Sequence, residues 1–134
     1  MKIKKKDIFS IKLRVVNNLC NFFNMFENCS NLISVNGLSK VDTSKVIRMT
    51  GMFSGCSSLE SIDDISCWNT ANTTSVSLMF DGCQNLKSLP DIGKWNLSGC
   101  ADFGFIFQGC SSLISLPDIS GWDTKKAKYI IGII

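Results

Sequence analysis

Apolar and polar residues recur along the chain with a constant period of 27 residues. Phenylalanine, cysteine and leucine hold fixed positions in each repeat, and further apolar residues follow the leucine at intervals of three. The recurring positions are Phe26, Phe53, Phe80 and Phe107; Cys29, Cys56, Cys83 and Cys110; and Leu32, Leu59, Leu86 and Leu113. One such unit cannot bury its own apolar face, so the pattern predicts a solenoid of stacked units with like residues packed on like.

Each unit contains the signals of a short helix. Val46, Met49, Met52 and Phe53 have the 3, 3 and 1 spacing that places residues on one helical face. Asp42-Thr43 before this segment suits an N-cap. Glycine at 55, 82 and 109 suits the left-handed conformation that ends a helix, and asparagine at position 28 tolerates the same conformation.

A short strand is predicted after each helix. Leu113-Ile114-Ser115-Leu116 is one example, and Pro90 and Pro117, each followed by aspartate, turn the chain out of the strand. The predicted fold class is therefore α/β, with about four 27-residue units that each hold a short strand and a short helix. The predicted units are 25–51, 52–78, 79–105 and 106–132, followed by the start of a truncated fifth.

Residues 1–24 differ from the repeats and are interpreted as a basic N-terminal cap leading into the first repeat helix. They carry six basic residues and one acidic residue, a net charge of +5, against +3 for the whole chain. Phe9, Ile11, Leu13 and Val15 alternate with polar residues, which predicts a strand with one apolar face over residues 8–15. Four lysines without aromatic neighbours do not point to nucleic acid.

The repeat resembles the BspA-like surface-protein repeat, a divergent leucine-rich repeat also found in mycoplasma lipoprotein-type proteins. The resemblance covers about residues 25–134. In the fourth unit it rests on Gly109-Cys110, Leu113, Leu116-Pro117-Asp118-Ile119 and Trp122-Asp123-Thr124. The first unit departs from it, with Asn28, Gly37 and Val41 in place of glycine, aspartate and tryptophan. The resemblance implies a right-handed solenoid and a non-catalytic role at the cell surface, in adhesion or other protein contacts.

The recurring polar and aromatic columns favour structural roles. Cysteines stacked in a line cannot converge on one zinc ion, so buried free thiols are expected. The tryptophans Trp68, Trp95 and Trp122 are expected to pack over the helices rather than form a stacking platform for sugars. Single aspartates at 64, 91 and 118 supply too few oxygens for calcium, so turn hydrogen bonds are expected there.

The sequence predicts a protein that is not an enzyme and uses no cofactor or metal. It contains no histidine and no nucleotide-binding or nucleophile motif. No export signal and no apolar run long enough to span a bilayer are recognised, so the localisation stays open between a surface protein and an intracellular scaffold.

A second protein is the expected partner. Glu60, Lys87 and Ile114 occupy one variable column beside the predicted strand and are the candidate partner-binding residues. The alternative is self-association through an uncapped C-terminal edge, with Ile131 and Ile133 as its candidate residues.

Overall fold

The computed structural model describes the backbone of residues 9–12 and the chain from residue 19 to residue 133. It contains one three-stranded parallel sheet in the order β1–β2–β3. The strands are β1 (Phe9–Lys12), β2 (Leu32–Asn36) and β3 (Ser61–Ile62). Strand β1 therefore pairs with the first repeat, and the rest of the predicted cap, residues 1–8 and 13–18, lies outside the described residues.

A second ladder runs across the repeats on another side of each unit. Parallel bridges connect residues 27 positions apart, in the series Asn21, Arg48, Ser75, Asp102 and Tyr129. The backbone bonds beside it have the same period: the Met49 N–H donates to the Ser75 oxygen at 3.0 Å, and the Phe53 N–H to the Met79 oxygen at 2.9 Å. Each repeat thus hydrogen-bonds to the next and forms one layer of a stack.

The predicted helix in every unit is wrong, and the α/β solenoid class is wrong with it. The described residues contain no α-helix, only two 3₁₀-helices of three residues each, Leu38–Lys40 and Ile92–Lys94. The first repeat helix, which was expected after the basic cap, is likewise absent from the described residues. Val46, Met49, Met52 and Phe53 are all fully buried, but they lie on a series of turns.

Two features of the backbone exclude the helix. The Met52 N–H bonds three residues back to Met49, whereas the Met49, Gly51 and Phe53 N–H groups bond to the next repeat. An α-helix needs each N–H to bond four residues back. In addition, Gly51 has a φ of 63°, in the middle of the predicted helix. A left-handed residue there reverses the local direction of the chain, so the apolar spacing is produced by turns.

The predicted strand is present only in the first two units. Leu113–Leu116 contains no strand, and the corresponding segment of the third unit contains none. Strand β2 ends at Asn36, and Pro90 and Pro117 stand in the same column of the third and fourth units. Proline has no N–H to donate to a ladder, which shortens regular pairing beside it.

Like residues stack on like through the core. The rings of Phe26, Phe53, Phe80 and Phe107 are nearly parallel, with successive centroids 5.4, 5.7 and 6.1 Å apart. Met52, Met79 and Ile106 form a second fully buried column beside them. The core is therefore a set of parallel columns, and each layer contributes one residue to each column.

Candidate binding surface

The three candidate partner-binding residues lie in one row across the layers, here called the variable row: Glu60, Lys87 and Ile114. The backbone aligns them, because the Lys87 N–H donates to the Glu60 oxygen at 3.4 Å and the Ile114 N–H to the Lys87 oxygen at 3.2 Å. The next column holds serine in every unit, at positions 34, 61, 88 and 115. A row whose side chains differ from layer to layer therefore runs beside a row of serines.

The variable row is exposed and already carries one internal ion pair. The Lys87 Nζ lies 3.2 Å from Glu60 Oε2, and the two side chains are 62% and 48% exposed. Ile114 is 87% exposed, the most exposed of the large apolar side chains in the described residues. The surface thus presents a charged pair followed by an aliphatic side chain.

A shallow open cavity of about 370 Å³ lies further along the same units. Its lining includes Ile62, Ser88, Leu89, Asp91 and Lys94. The Lys94 Nζ lies 3.5 Å from Asp91 Oδ2, and both side chains are more than half exposed. Most of the residues that line this cavity are polar or charged.

The aspartate column forms the expected turn bonds at two of its three positions, whereas the Asp91 carboxylate lies against Lys94 instead. Asp64 Oδ1 accepts the N–H of Ser66, and Asp118 Oδ1 accepts that of Ser120, both at 2.9 Å. These bonds from Ser66 and Ser120 hold the pKa of both carboxyl groups below its ordinary value. Within the described part of the chain, no three cysteine or acidic side chains converge in a way that could hold a metal ion.

The cysteine column stacks as the period predicts, and all seven cysteines are free. The thiols of Cys56, Cys83 and Cys110 donate to the carbonyl oxygens of Phe26, Phe53 and Phe80 at 3.0 to 3.2 Å. Burial raises the pKa of the Cys56 thiol to about 12 and that of Cys110 to about 11. These thiols are protonated donors that join one layer to the next.

The tryptophan side chains are buried, and each indole N–H group donates a hydrogen bond. The indole N–H groups of Trp68, Trp95 and Trp122 each donate at 2.9 Å to a carbonyl oxygen of the preceding repeat: Leu38, Ile65 and Ile92. Their exposed fractions are 5%, 3% and 8%. The structural interpretation of this column is therefore confirmed, although the described residues contain no α-helix for it to cover and two of its acceptors, Leu38 and Ile92, begin 3₁₀-helices.

The two candidate self-association residues lie in different columns. Ile133 continues the inward-facing column of Met52, Met79 and Ile106, and it is half-buried against the core. Ile131 is 67% exposed, and its carbonyl oxygen accepts the Phe105 N–H at 2.8 Å. Ile130, which the sequence interpretation did not single out, is 47% exposed at the end of another inward column.

Leu78 and Phe105 are also absent from the predicted site residues. Both have a φ of 56° and are partly exposed, by 36% and 40%. The signal that could have identified them is their column, where the other units have Asn24, Gly51 and Gly132. Large apolar residues at such a position depart from the pattern of the repeat.

In the part of the chain that the structure describes, no helix has the length and apolarity needed to cross a bilayer. Comparison with curated proteins gave no match, and comparison with solved structures gave none. A family model described as "Mycoplasma protein of unknown function, DUF285" matches residues 20–132, which includes every complete layer of the stack. The chain therefore belongs to the DUF285 family.

Proposed function

We propose that the chain is a non-catalytic protein-binding repeat module of a surface or adhesion-type protein of the BspA-like kind. The observation that carries this proposal is the variable row, where Glu60, Lys87 and Ile114 differ in chemistry and are exposed on a constant frame. Buried columns hold the layers together, so the exposed row is free to change without loss of packing. The mechanism is display: the layers hold side chains at regular intervals for a partner protein to contact.

The test uses a charge exchange that leaves the internal ion pair in place. In the wild type the two charged groups lie 3.2 Å apart. Glu60→Lys combined with Lys87→Glu keeps one acidic and one basic side chain at these two positions but exchanges their places on the surface that a partner contacts. An exposed pair of this kind contributes at most about 1 kcal/mol, so the fold stays intact. We expect the exchanged variant to unfold like the wild type but to lose binding.

Binding is measured by photo-crosslinking on intact source cells. A benzophenone side chain at position 114 is compared with one at exposed position 125, outside the row. We expect one crosslinked protein from position 114 only, with competition by unlabelled chain but not by the exchanged variant. Equal crosslinking from both positions, or competition by the exchanged variant, would contradict a role for the variable row.

A membrane-impermeant label on the same cells tests the surface assignment separately. Labelling of the repeats would support an extracellular partner. Labelling only after lysis would instead support the intracellular scaffold.

The second candidate function is self-association of two copies through the fifth layer, which includes residues 129–133. It is favoured by Ile130, 47% exposed at the end of an inward column, and by half-buried Ile133 beside it. We expect Ile131→Lys with Ile133→Lys to convert a dimer to a monomer in sedimentation velocity. Ile114→Lys, which changes an exposed isoleucine elsewhere, is the matched control. A monomeric wild-type chain would exclude this candidate.

A further inference from the structure

A groove of about 290 Å³ lies on a different surface from the variable row. Its walls are the apolar side chains of Leu78, Phe105, Tyr129 and Ile131, which come from three successive layers. Asp102 and Ser77 add polar atoms to the lining. The space suffices for one large side chain, below the usual size of a drug-like ligand site.

The groove exists because small residues interrupt an outward column. One column runs through Thr50, Ser77, Gly104 and Ile131, and Ser77 and Gly104 are buried beneath the surface level. The buried hydroxyl groups of Ser75 and Ser77 lie 3.0 Å apart and share one hydrogen bond, and Ser75 Oγ also accepts from the Thr50 hydroxyl at 2.7 Å. The depression is therefore closed at its base by bonded polar groups.

The two residues in its wall with positive φ are of a type that this turn does not favour. Leu78 and Phe105 hold a φ of 56°, which is unfavourable for large L-residues and readily adopted by glycine. Gly51 and Gly132 occupy the same column in other layers. The Phe105 ring lies against Gly132 yet remains 40% exposed. Residues that strain the backbone and still face solvent are characteristic of recognition sites.

The groove carries one acidic group. Asp102 is half-buried, and its Oδ1 accepts the Gly104 N–H at 3.0 Å. Among the described residues, Asp102 forms no ion pair. A carboxylate between apolar walls attracts a cation more strongly than one surrounded by water.

We propose that this groove binds an extended peptide segment of a partner protein, in which an apolar side chain stands next to a lysine or arginine. The apolar side chain fills the space between Leu78, Phe105 and Ile131, and the cation pairs with Asp102. This surface is separate from the variable row, so the charge exchange at residues 60 and 87 leaves it unchanged.

The probe is the capped tripeptide acetyl-Phe-Lys-Phe-amide, titrated into the ¹⁵N-labelled chain. We expect saturable shifts of the backbone amide signals of Leu78, Gly104 and Phe105. The matched peptide acetyl-Phe-Glu-Phe-amide is expected to bind at least about threefold more weakly, the factor that one exposed charge pair supplies. Asp102→Asn keeps the Gly104 bond and should abolish that difference.

Leu78→Gly separates recognition from folding. Glycine suits the positive φ, so the variant should retain the native amide spectrum while binding the lysine peptide about tenfold more weakly, as expected for one lost apolar contact. Absence of saturable shifts in the wild type, or equal binding of both peptides, overturns the proposal. Shifts of the same amides on dilution alone would assign the groove to a second copy of the chain, and this too overturns it.

Discussion

Left-handed backbone positions recur twice in every repeat. One column holds Asn28, Gly55, Gly82 and Gly109, with φ between 58° and 74°. The sequence predicts this column, because glycine and asparagine are the residues that adopt the conformation most readily. The other column includes Leu78 and Phe105, which carry no local signal of a left-handed turn. Residue type therefore identifies a left-handed position only where glycine or asparagine occupies it.

Substitution at Gly82 tests the first of these columns. A Cβ there would lie 3.6 Å from the Gly55 Cα, an ordinary contact, so the cost is conformational. We expect Gly82→Ala to lower the free energy of unfolding by about 1–2 kcal/mol, and Gly82→Asn by less. Urea denaturation measures both variants. Equal losses from alanine and asparagine would show that space, not φ, limits the position.

The buried thiols make stability depend on alkaline pH. Burial raises the pKa of Cys56 from 9.0 to about 12, so the unfolded chain loses this proton first as the pH rises. The contribution of this protonated thiol to the free energy of unfolding is therefore fully present below pH 9 and lost between pH 9 and about 12. In that range the free energy of unfolding falls with a limiting slope of about 1.4 kcal/mol per pH unit.

Urea denaturation from pH 8 to 10.5 checks the slope at Cys56. We expect the free energy of unfolding of Cys56→Ala to fall less steeply than that of the wild type. Cys67→Ala, which removes an exposed thiol, is the control and should follow the wild type. Parallel curves for Cys56→Ala and the wild type would be evidence against a buried, protonated thiol.

At the scale of the element, the same signals serve turns and helices. The carboxamide or carboxylate oxygens of Asp42, Asn69, Asn96 and Asp123 each accept an N–H two residues later, at 2.9 to 3.2 Å. Asp42 was predicted as part of an N-cap, and side-chain bonds of this kind also close isolated turns. The polar group was thus identified correctly, but the element that follows it was not.

The tryptophan bonds connect elements of neighbouring layers. Trp95→Phe keeps an aromatic side chain, although a smaller one, and leaves the Ile65 carbonyl oxygen without its indole donor. We expect a loss of about 1–3 kcal/mol in the free energy of unfolding, the usual cost of an unsatisfied buried polar group. Circular dichroism during urea denaturation measures it. Tyr129→Phe removes an exposed hydroxyl and should change nothing; similar losses in both variants would contradict the assigned role.

At the scale of the whole molecule, the layers are nearly interchangeable. The backbone bonds between layers, the phenylalanine stacks and the thiol bonds of the cysteine column connect residues 26 to 30 positions apart, so each layer depends mainly on its two neighbours. The variable row and the groove use this regularity in different ways. The row places different side chains at one repeated position, whereas the groove forms where small residues replace larger ones in an outward column.

Removal of one whole period tests this arrangement. Deletion of residues 79–105 brings Phe107 onto Phe53 and preserves every column. We expect a folded chain with a lower urea m-value, because less surface is exposed on unfolding. Deletion of residues 79–96 removes two thirds of a period, destroys the register, and should leave the chain unfolded. Cooperative unfolding of both variants would contradict stacking by period.

The sequence by itself determined the period, the inward columns and one of the left-handed columns. These follow from residue type and spacing, because burial of Phe53 or Cys83 depends on side chains that recur every 27 residues. Only the tertiary structure decided whether Met49 and Phe53 bond within a helix or to the next layer. Local spacing is the same in both cases, and the choice depends on a neighbouring layer that offers carbonyl oxygens in register. The groove around Asp102 has the same origin, since its walls come from three layers that meet only in the stack.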